Sequence, residues 1–430
     1  MELKSSINET WKVFSLGTVL GCFILLLFLD KNHQNTSFLT ARNAMLQYTP
    51  FKLLDPTEDI KKFNVVDEHV KKYEVILVNK TKSNSCNMFD GRWIYKPDVV
   101  PSYDSISCPF MEEKMSCKNN GRLDFQYEKL SWEARDCDIP LFNGIDMMER
   151  LKNKRVIIVG DSLNRNMWES LACLLYTSIS PSRVEVDADR TIYKIFKAKD
   201  YNFTLEFHWS PFLIDYDRNH KSGKKVLVLD KLSPNSKDWR GADIMVFNSG
   251  HWWNHAGKVK SWDLFQYGEE LTEEMPIEVA YKRAMKTWAK WIKKNVDPKK
   301  TTVFFRSISA EHKMRQYNEW CYNVTQIMPE ESYVSVYPKS LLNTIESLIA
   351  KMSKPQVNYL NITKLSEYRI DAHPSVFRSK DWKNIVAKDY DNKISNYADC
   401  SHWCLPGVPD TWNRLLYASI ISERVNLPSS

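Results

Sequence analysis

The sequence predicts an α/β protein whose mostly parallel sheet lies between layers of helices. The first observation is a series of short, mainly apolar runs at 156–159, 243–247, 302–305 and 357–360, which are typical of strands buried on both faces. The second is that these runs alternate with stretches of helical periodicity, the order expected of a parallel sheet. With 430 residues, 43% of them hydrophobic and 26% charged, the chain is long enough to bury such a core.

Local patterns predict the individual elements in chain order. A helix is expected at 164–175, and an antiparallel pair at 192–197 and 203–209, where apolar and other residues alternate. Pro276 opens a second helix at its favoured first position. The apolar face of that helix comprises Tyr281, Ala284, Met285, Trp288, Trp291 and Ile292. This spacing indicates core packing, and an amphipathic helix at 412–424 completes the predicted fold.

The N-terminal segment indicates the cellular compartment. Residues 13–29 carry no charge, and their length is at the short end for a membrane-spanning helix. A cleaved signal peptide is the alternative, but its apolar region is usually shorter and no small-x-small cleavage site follows Leu29. We therefore predict a cytosolic tail at 1–12, a transmembrane anchor at 13–29, a stem at 30–85 and a lumenal domain at 86–430. Within that domain, a cysteine-rich part at 86–150 precedes an α/β core at 151–430.

The cysteines favour an oxidising lumen. Of nine cysteines, Cys22 lies in the apolar stretch, and the even number that remains suggests disulfide bonds. A zinc site is the competing interpretation, but no CxxC pair occurs, so no metal is expected. The glycosylation sequons agree with the lumen, and they begin at Asn35, Asn79, Asn202, Asn323 and Asn361.

Composition also narrows the class of partner. The net charge of +7 is modest, and no basic block with interleaved aromatic residues occurs, so nucleic acid is not expected. The 15 Trp and 20 Tyr residues would suit sugar rings, although most tryptophan in any protein belongs to the core.

A serine motif follows the first predicted strand. The run Gly160-Asp161-Ser162-Leu163 makes a sharp turn into a helix, which presents the Ser162 hydroxyl at the carboxyl edge of the sheet. The start of the helix offers main-chain N–H groups to a developing oxyanion. Taken alone, this motif is common, and a serine that merely caps the helix is the simpler interpretation.

Asp399 and His402, three residues apart on a predicted turn, favour a catalytic role for that serine. The carboxylate can accept a hydrogen bond from the imidazole Nδ1 and leave Nε2 to face the serine, which needs a base to become a nucleophile. The alternative is a purely structural role, in which Asp399 caps a turn and His402 is a surface histidine. Asp371 and His373 form a second acid–histidine pair and are an alternative base.

A third group of residues surrounds the end of the strand at 243–247. Asn248, together with Gly160, is a candidate oxyanion hole. His251, Trp252 and Trp253 are candidates for lining a sugar site, and core packing of the two tryptophans is equally consistent with the sequence.

The chain resembles the plant trichome birefringence-like family, whose members acetylate cell-wall polysaccharides. The resemblance covers the region from about Cys86 to the C-terminus. It is carried by the runs FDGRW at 89–93, NGRLD at 120–124, VGDSLNRNMWES at 159–170 and DCSHWCLPGVPDTWN at 399–413.

This resemblance implies an SGNH/GDSL-like α/β/α sandwich in a Golgi type II membrane protein. It implies that Ser162 is the nucleophile and that Asp399 and His402 complete a triad. The family's disulfide framework implies the pairs Cys86 with Cys137, Cys108 with Cys173, Cys117 with Cys404, and Cys321 with Cys400.

The expected function is an O-acetyltransferase that moves an acetyl group through a serine acyl-enzyme onto a hydroxyl of a plant polysaccharide. The stretches 201–207 and 361–369 look most like the xylan-acting branch, whereas 248–253 looks more like branches acting on other hemicelluloses. Many members carry a Gly-rich segment where this chain has a different sequence at 309–314. Mannan, xyloglucan and pectin therefore stay open as acceptors, and an acetyl esterase or a non-catalytic glycan-binding protein are the alternative functions.

No tightly bound cofactor is expected, because the sequence has no nucleotide-binding glycine signature. The acetyl donor would be acetyl-CoA or an acetyl group delivered by a membrane protein. The expected partners are the polysaccharide acceptor, the Golgi membrane and that acetyl-donating protein.

Overall fold

The computed structural model describes residues 86–424, except 188–191, 256, 315–318, 330–338 and 388–396. The tail, anchor and stem predicted at 1–85 lie outside these residues, as do the sequons at Asn35 and Asn79. Across the described part of the chain, no helix combines the length and apolar character needed to cross a membrane.

The described strands are numbered in chain order. They are β1 (Gly91–Tyr95), β2 (Leu130–Ala134), β3 (Arg155–Gly160), β4 (Val184–Asp187), β5 (Tyr193–Ala198), β6 (Phe203–Trp209), β7 (Ile214–Asp217), β8 (Val226–Leu232), β9 (Ile244–Phe247), β10 (Leu264–Tyr267), β11 (Glu270–Thr272), β12 (Thr302–Arg306), β13 (Lys313–Met314), β14 (Glu319–Trp320) and β15 (Val357–Leu360).

The described α-helices are numbered in the same way. They are α1 (Gly144–Arg150), α2 (Ser162–Tyr176), α3 (Ile277–Asn295), α4 (Lys339–Ile349), α5 (Thr363–Glu367), α6 (Trp382–Ala387) and α7 (Val408–Arg424).

A seven-stranded sheet in the order β15-β12-β9-β3-β6-β5-β4 forms the centre of the domain. The strands from β15 to β6 are parallel to their neighbours, and β5 and β4 continue the sheet antiparallel. The mostly parallel sheet and the antiparallel pair predicted from the sequence are both confirmed. The four apolar runs are the adjacent strands β3, β9, β12 and β15.

Alternate residues of β3 enter two different cores. Val156 and Ile158 pack in the core that includes α2 and α7, whereas Ile157 and Val159 pack in the core that includes α3 and α4. Because helices cover both faces of the sheet, neither set of alternating positions faces water, which explains the continuous apolar run in the sequence.

Helix α3 shows how the helical layer is attached. Of its predicted apolar face, Tyr281, Ala284, Met285, Trp288 and Ile292 are buried, while Trp291 is only partly buried. Pro276 is the residue before the first helical turn rather than the first helical residue. A second sheet, in the order β11-β10-β8-β7, lies beside this helix and adds to the sheet predicted from the sequence.

Four disulfide bonds join the described cysteines in the pairs implied by the family resemblance. They are Cys86–Cys137, Cys108–Cys173, Cys117–Cys404 and Cys321–Cys400. The last two bonds tie down both sides of the short segment that contains His402.

Candidate active site

Ser162 lies where the central strand β3 passes into α2. It is the first residue of the helix, and Asp161 caps the helix because its Oδ1 accepts a hydrogen bond from the Leu163 N–H at 2.9 Å. The helix therefore begins two residues before the predicted start at 164. Ser162 is 8% exposed, and its position places it at the positive end of the helix dipole.

His402 and Asp399 form the pair expected from the sequence. The imidazole Nδ1 lies 2.8 Å from Asp399 Oδ2, and the main-chain N–H groups of Ser401 and His402 donate to Oδ1, each at 3.0 Å. Burial acts to raise the pKa of Asp399, but the His402 ring and these N–H groups outweigh it and hold the pKa well below its ordinary value. Asp399 is therefore a carboxylate that orients the imidazole.

The Nε2 atom of His402 is available to a reacting group. It is buried, and it has no hydrogen-bond partner in the described part of the chain. A buried imidazole nitrogen without a partner is costly to a fold, so its presence favours a functional role for this atom.

Asn166 joins the serine helix to the histidine segment. It lies one turn after Ser162, and its amide exchanges two hydrogen bonds with the main chain of Trp403: the Trp403 N–H donates to Oδ1 at 2.9 Å, and Nδ2 donates to the Trp403 carbonyl at 3.3 Å. Because Trp403 follows His402 directly, this contact fixes the histidine segment against the first turns of α2. The sequence analysis has no role for Asn166, although its position four residues after Ser162 is a usable signal.

Gly160 and Asn248 meet beneath the turn. The Asp161 N–H donates to Asn248 Oδ1 at 3.2 Å, so the Asn248 NH2 group is the part of that amide left to donate elsewhere. The Gly160 carbonyl accepts from the Ser210 N–H at 2.8 Å. A Cβ at residue 160 would lie 1.8 Å from Asn248 Oδ1, so the glycine makes room for the asparagine.

We expect Gly160→Ala to reduce both stability and activity. The new methyl group must displace the Asn248 side chain, and a forced overlap in a packed core costs about 1–3 kcal/mol. Thermal unfolding and catalytic activity should be measured beside Ser182→Ala, a change of similar size at an exposed residue in the turn before β4. Equal effects in the two variants would remove the proposed importance of the 160–248 contact.

His251 lies beside this group and faces a carboxylate that the sequence analysis missed. Its Nδ1 is 3.5 Å from Glu311 Oε2, and Glu311 also pairs with Lys313 at 2.7 Å. Burial lowers the pKa of His251, and it outweighs the charges of Glu311 and Asp161, which act to raise that pKa. The charge of His402 lowers it further. Burial acts to raise the pKa of Glu311, but His251 and Lys313 outweigh it and hold that pKa below its ordinary value. His251 and Glu311 are thus a second imidazole–carboxylate pair in the described part of the chain.

The two tryptophans after His251 have different surroundings. Trp253 is 0% exposed, its ring packs edge-on against Phe212 and Tyr281, and its Nε1 donates to Ser249 Oγ. The prediction that Trp253 lines a sugar site is therefore wrong, because the core packing covers the ring completely. Trp252 is only partly buried and stands edge-on to Trp209 at 5.4 Å, so a contact with sugar stays a prediction for this residue.

The alternative base at Asp371 and His373 does not form. Both carboxylate oxygens of Asp371 accept from Arg369, at 2.9 and 3.0 Å. His373 instead stacks on Trp403, with its Nδ1 2.6 Å from the His402 carbonyl and its Nε2 2.6 Å from His312 Nδ1. The buried pair of His312 and His373 thus holds the main chain at His402 through the contact with its carbonyl.

Among the described residues, no group of three or more His, Cys, Asp or Glu side chains is arranged to hold a metal ion. The groups available for chemistry are the hydroxyl of Ser162 at the start of α2, the His402 imidazole bound to Asp399, and the Asn248 amide.

Fold and site together define an α/β protein of the GDSL/SGNH-like class, with a serine at the end of the central strand and an Asp-x-x-His segment near the C-terminus. Residues 139–419 match the PC-Esterase family, described as the GDSL/SGNH-like acyl-esterase family found in Pmr5 and Cas1p, and residues 84–138 match the PMR5 N-terminal domain. The chain therefore belongs to the PC-Esterase family.

Curated relatives are trichome birefringence-like proteins, which confirms the resemblance. The chain is 39% identical to Protein trichome birefringence of Arabidopsis thaliana, over 85% of this chain and 60% of that protein. It is 40% identical to Protein trichome birefringence-like 1 of Arabidopsis thaliana, over 78% of this chain and 62% of that protein. It is 39% identical to Probable xylan O-acetyltransferase 8 of Oryza sativa subsp. japonica, over 78% of each chain. This chain thus spans only about three fifths of the length of the first two relatives.

Proposed function

We propose that the protein is a polysaccharide O-acetyltransferase that acts through an acetyl-serine at Ser162, with xylan as the acceptor. The observation that carries this proposal is the Asp399–His402 pair, whose buried Nε2 lacks a partner and whose segment is fixed to the serine helix by Asn166. The similarity to the rice protein supports the acceptor.

In the first half-reaction, Ser162 Oγ attacks the acetyl carbonyl carbon while His402 Nε2 takes the hydroxyl proton. The carbonyl π electrons move to oxygen, and the oxyanion accepts hydrogen bonds from the Ser162 N–H and the Asn248 NH2 group. As the carbonyl re-forms, the bond to the donor breaks and the leaving group takes the proton from His402. The product is an acetyl ester on Ser162.

In the second half-reaction, a sugar hydroxyl gives its proton to His402 Nε2 and attacks the acetyl-serine. The ester bond to Ser162 breaks, and Ser162 Oγ takes the proton back. Asp399 remains a carboxylate throughout and stabilises the imidazolium that forms twice. Water attacking the same intermediate would make the protein an esterase instead.

Acceptor binding would decide between transfer and hydrolysis. The partly buried Trp252 offers a ring face to sugar, and His251, whose buried Nδ1 has no hydrogen-bond partner among the described residues, offers a hydrogen bond to a hydroxyl. Asn248 follows β9 directly, and His251 and Trp252 lie within the next five residues of the chain. A sugar held there would present a hydroxyl to His402 and exclude water from the acetyl-serine.

The proposal is tested with the full-length protein, an acetyl donor and a panel of xylo-, manno-, xyloglucan and galacturonate oligosaccharides, with products read by mass spectrometry. Acetylation of xylo-oligosaccharides is expected. If the protein releases acetate from acetylated xylan and transfers no acetyl group from any donor supplied, it is an esterase and the proposal is wrong.

We expect His251→Gln to lower transfer by about tenfold while leaving hydrolysis of the acetyl-enzyme nearly unchanged. A lost hydrogen bond to a neutral group costs about 0.5–1.5 kcal/mol, and more where the partner is charged. The measurement is the ratio of acetylated sugar to free acetate as the acceptor concentration rises. His220→Gln, on the loop between β7 and β8, is the matched control. A proportional fall in both products would assign His251 to the chemistry of both half-reactions rather than to the acceptor.

For the segment 1–85 we propose the single-pass anchor at 13–29 and a Golgi lumenal orientation. The three described sequon asparagines, Asn202, Asn323 and Asn361, are exposed, as glycan attachment requires. Protection of the domain from added protease in sealed Golgi vesicles, lost when detergent is added, would be the supporting result.

A further inference from the structure

A basic cleft runs along helix α3, outside the candidate active site. Its volume is about 510 Å³, and two aromatic side chains, Tyr267 and Trp291, contribute to its lining. The cations that line it are Arg240, Arg283, Lys286, Lys290 and Lys294. A neighbouring cleft of about 400 Å³ shares Lys286 and adds Lys282 and Lys351.

Ion pairing does not account for these cations in the part of the chain that the structure describes. None of them forms an ion pair with another residue in the described ranges, although Glu269 and Glu270 lie on the adjacent hairpin between β10 and β11. Asp230 is the carboxylate in the cleft lining, and its Oδ2 already accepts from the Gly268 N–H at 2.9 Å. The five cations of the lining therefore outnumber its one carboxylate, Asp230, and the cleft keeps an excess of positive charge.

Most of this arrangement does not stabilise the helix. Lys282, Lys286, Lys290 and Lys294 follow one another at i, i+4 spacing, and like charges at that spacing destabilise a helix. Lys294 is the exception, because it lies in the last turn, where a cation is favourable to the helix dipole. A structural role thus does not account for the cations, whereas a bound anion would.

Arg283 provides an independent indication of a ligand. Its guanidinium lies 4.4 Å from the ring centre of Tyr267, and its Nη1 atom is buried without a hydrogen-bond partner in the described part of the chain. A buried guanidinium N–H is expensive to leave unsatisfied. The planar donor pair of arginine fits a carboxylate better than any neutral group.

The spacing of the charges indicates a polymer. Four residues of α-helix advance about 6 Å, so the lysines present a row of cations rather than one anion pocket. Lys294 lies 13 residues after Tyr281, the residue whose hydroxyl donates to the Ser249 carbonyl at the candidate site. That separation is about 20 Å along the helix axis, too far for one small ligand to reach both.

We propose that this basic cleft is a binding site for a glycan chain that carries repeated carboxylates, a uronate-bearing polysaccharide. The lysine row and Arg283 bind successive carboxylates, and Trp291 and Tyr267 contact the sugar rings between them. The site is separate from Ser162 and His402. It holds the chain and takes no part in bond making.

Binding is measured directly on the full-length protein, with oligogalacturonate as the probe and neutral xylo-oligosaccharide of the same length as the comparison. Oligogalacturonate is expected to bind and the neutral chain to bind far more weakly. Raising the salt from about 50 to about 200 mM should weaken binding roughly tenfold, because charged contacts are screened.

The key variant is the double charge reversal Lys286→Glu with Lys290→Glu. It makes the 282/286 and 290/294 pairs opposite in charge and leaves one like-charge pair, at 286/290, where the parent helix has three, so the helix should not unfold. Affinity is expected to fall about tenfold or more. Lys221→Glu with Lys224→Glu, on the loop before β8, changes the net charge equally and should leave affinity unchanged. Arg283→Lys keeps the charge but loses the planar donor pair, and a several-fold loss is expected.

The outcome is independent of the acetyl-transfer proposal, because Ser162→Ala should bind oligogalacturonate as the parent protein does. Equal losses in the two double variants would show a response to net charge alone and overturn the site. So would retention of affinity in the α3 variant. Binding to vesicles rich in anionic lipid, with none to oligogalacturonate, would assign the cleft to a membrane surface instead.

Discussion

Ser162→Ala is expected to abolish acetyl transfer, lowering kcat/KM by roughly 10⁴-fold or more. The hydroxyl is the group that bonds to the acetyl carbon, and no neighbouring side chain can take its place at the start of α2. The direct measurement is mass spectrometry of the protein after brief exposure to the donor. An acetyl group should be found on the peptide that contains Ser162, and it should be absent from the variant.

The control for this prediction is Ser182→Ala, an exposed serine in the turn before β4, which should keep full activity. Both variants should unfold near the temperature of the parent protein, because each change removes one hydroxyl oxygen and keeps the Cβ. Transfer that persists in Ser162→Ala at a comparable rate would sink the acetyl-serine mechanism and leave direct transfer between donor and acceptor.

Asp399→Asn is expected to lower kcat by about 10³- to 10⁴-fold while leaving the fold of the segment largely intact. An amide oxygen can still accept from the main-chain N–H groups of Ser401 and His402. The amide NH2 group would then face His402 Nδ1 and donate to it. That contact favours the tautomer with the proton on Nε2, where it can no longer take the proton from Ser162.

The pH dependence of stability provides a second measurement for Asp399. Its pKa in the folded protein is well below the ordinary value, so the unfolded state binds the proton more readily. The carboxylate therefore contributes stability above about pH 4, the ordinary value for an aspartate, and that contribution is lost as the pH falls through the lowered pKa. In Asp399→Asn, the free energy of unfolding should therefore fall less as the pH is lowered. Asp381→Asn, which changes an exposed aspartate, should keep the pH dependence of the parent protein. Retained activity in Asp399→Asn would mean that His402 needs no orienting carboxylate.

The central sheet could be predicted because its residues face two apolar layers. The strand β3 and its neighbours β9, β12 and β15 are short runs of large apolar residues, and such runs have few other uses in a chain that also forms amphipathic helices. The second sheet was harder to predict. Its strands β10 and β11 are three or four residues long and partly exposed. Its strand β8, by contrast, carries a clear apolar run at 226–229 that the sequence analysis did not use.

The candidate site divides in the same way. Ser162, Asp399 and His402 lie in short motifs whose chemistry can be inferred from spacing, and the structure brings Asp399 and His402 together as predicted. Glu311 lies 60 residues after His251 in the sequence, in a segment without a catalytic motif, and only the folded chain brings the two together. Trp253 shows the opposite error, because an aromatic pair after a strand does not reveal which ring points into the core.

The disulfide between Cys117 and Cys404 has a consequence for how the protein withstands proteases. It joins positions 287 residues apart in the sequence, so one cut anywhere between them leaves two fragments that stay covalently attached. A nicked molecule would migrate at full size on a gel until it is reduced. The bond also holds the two fragments together, so a purified preparation that shows fragments only after reduction is expected to stay active.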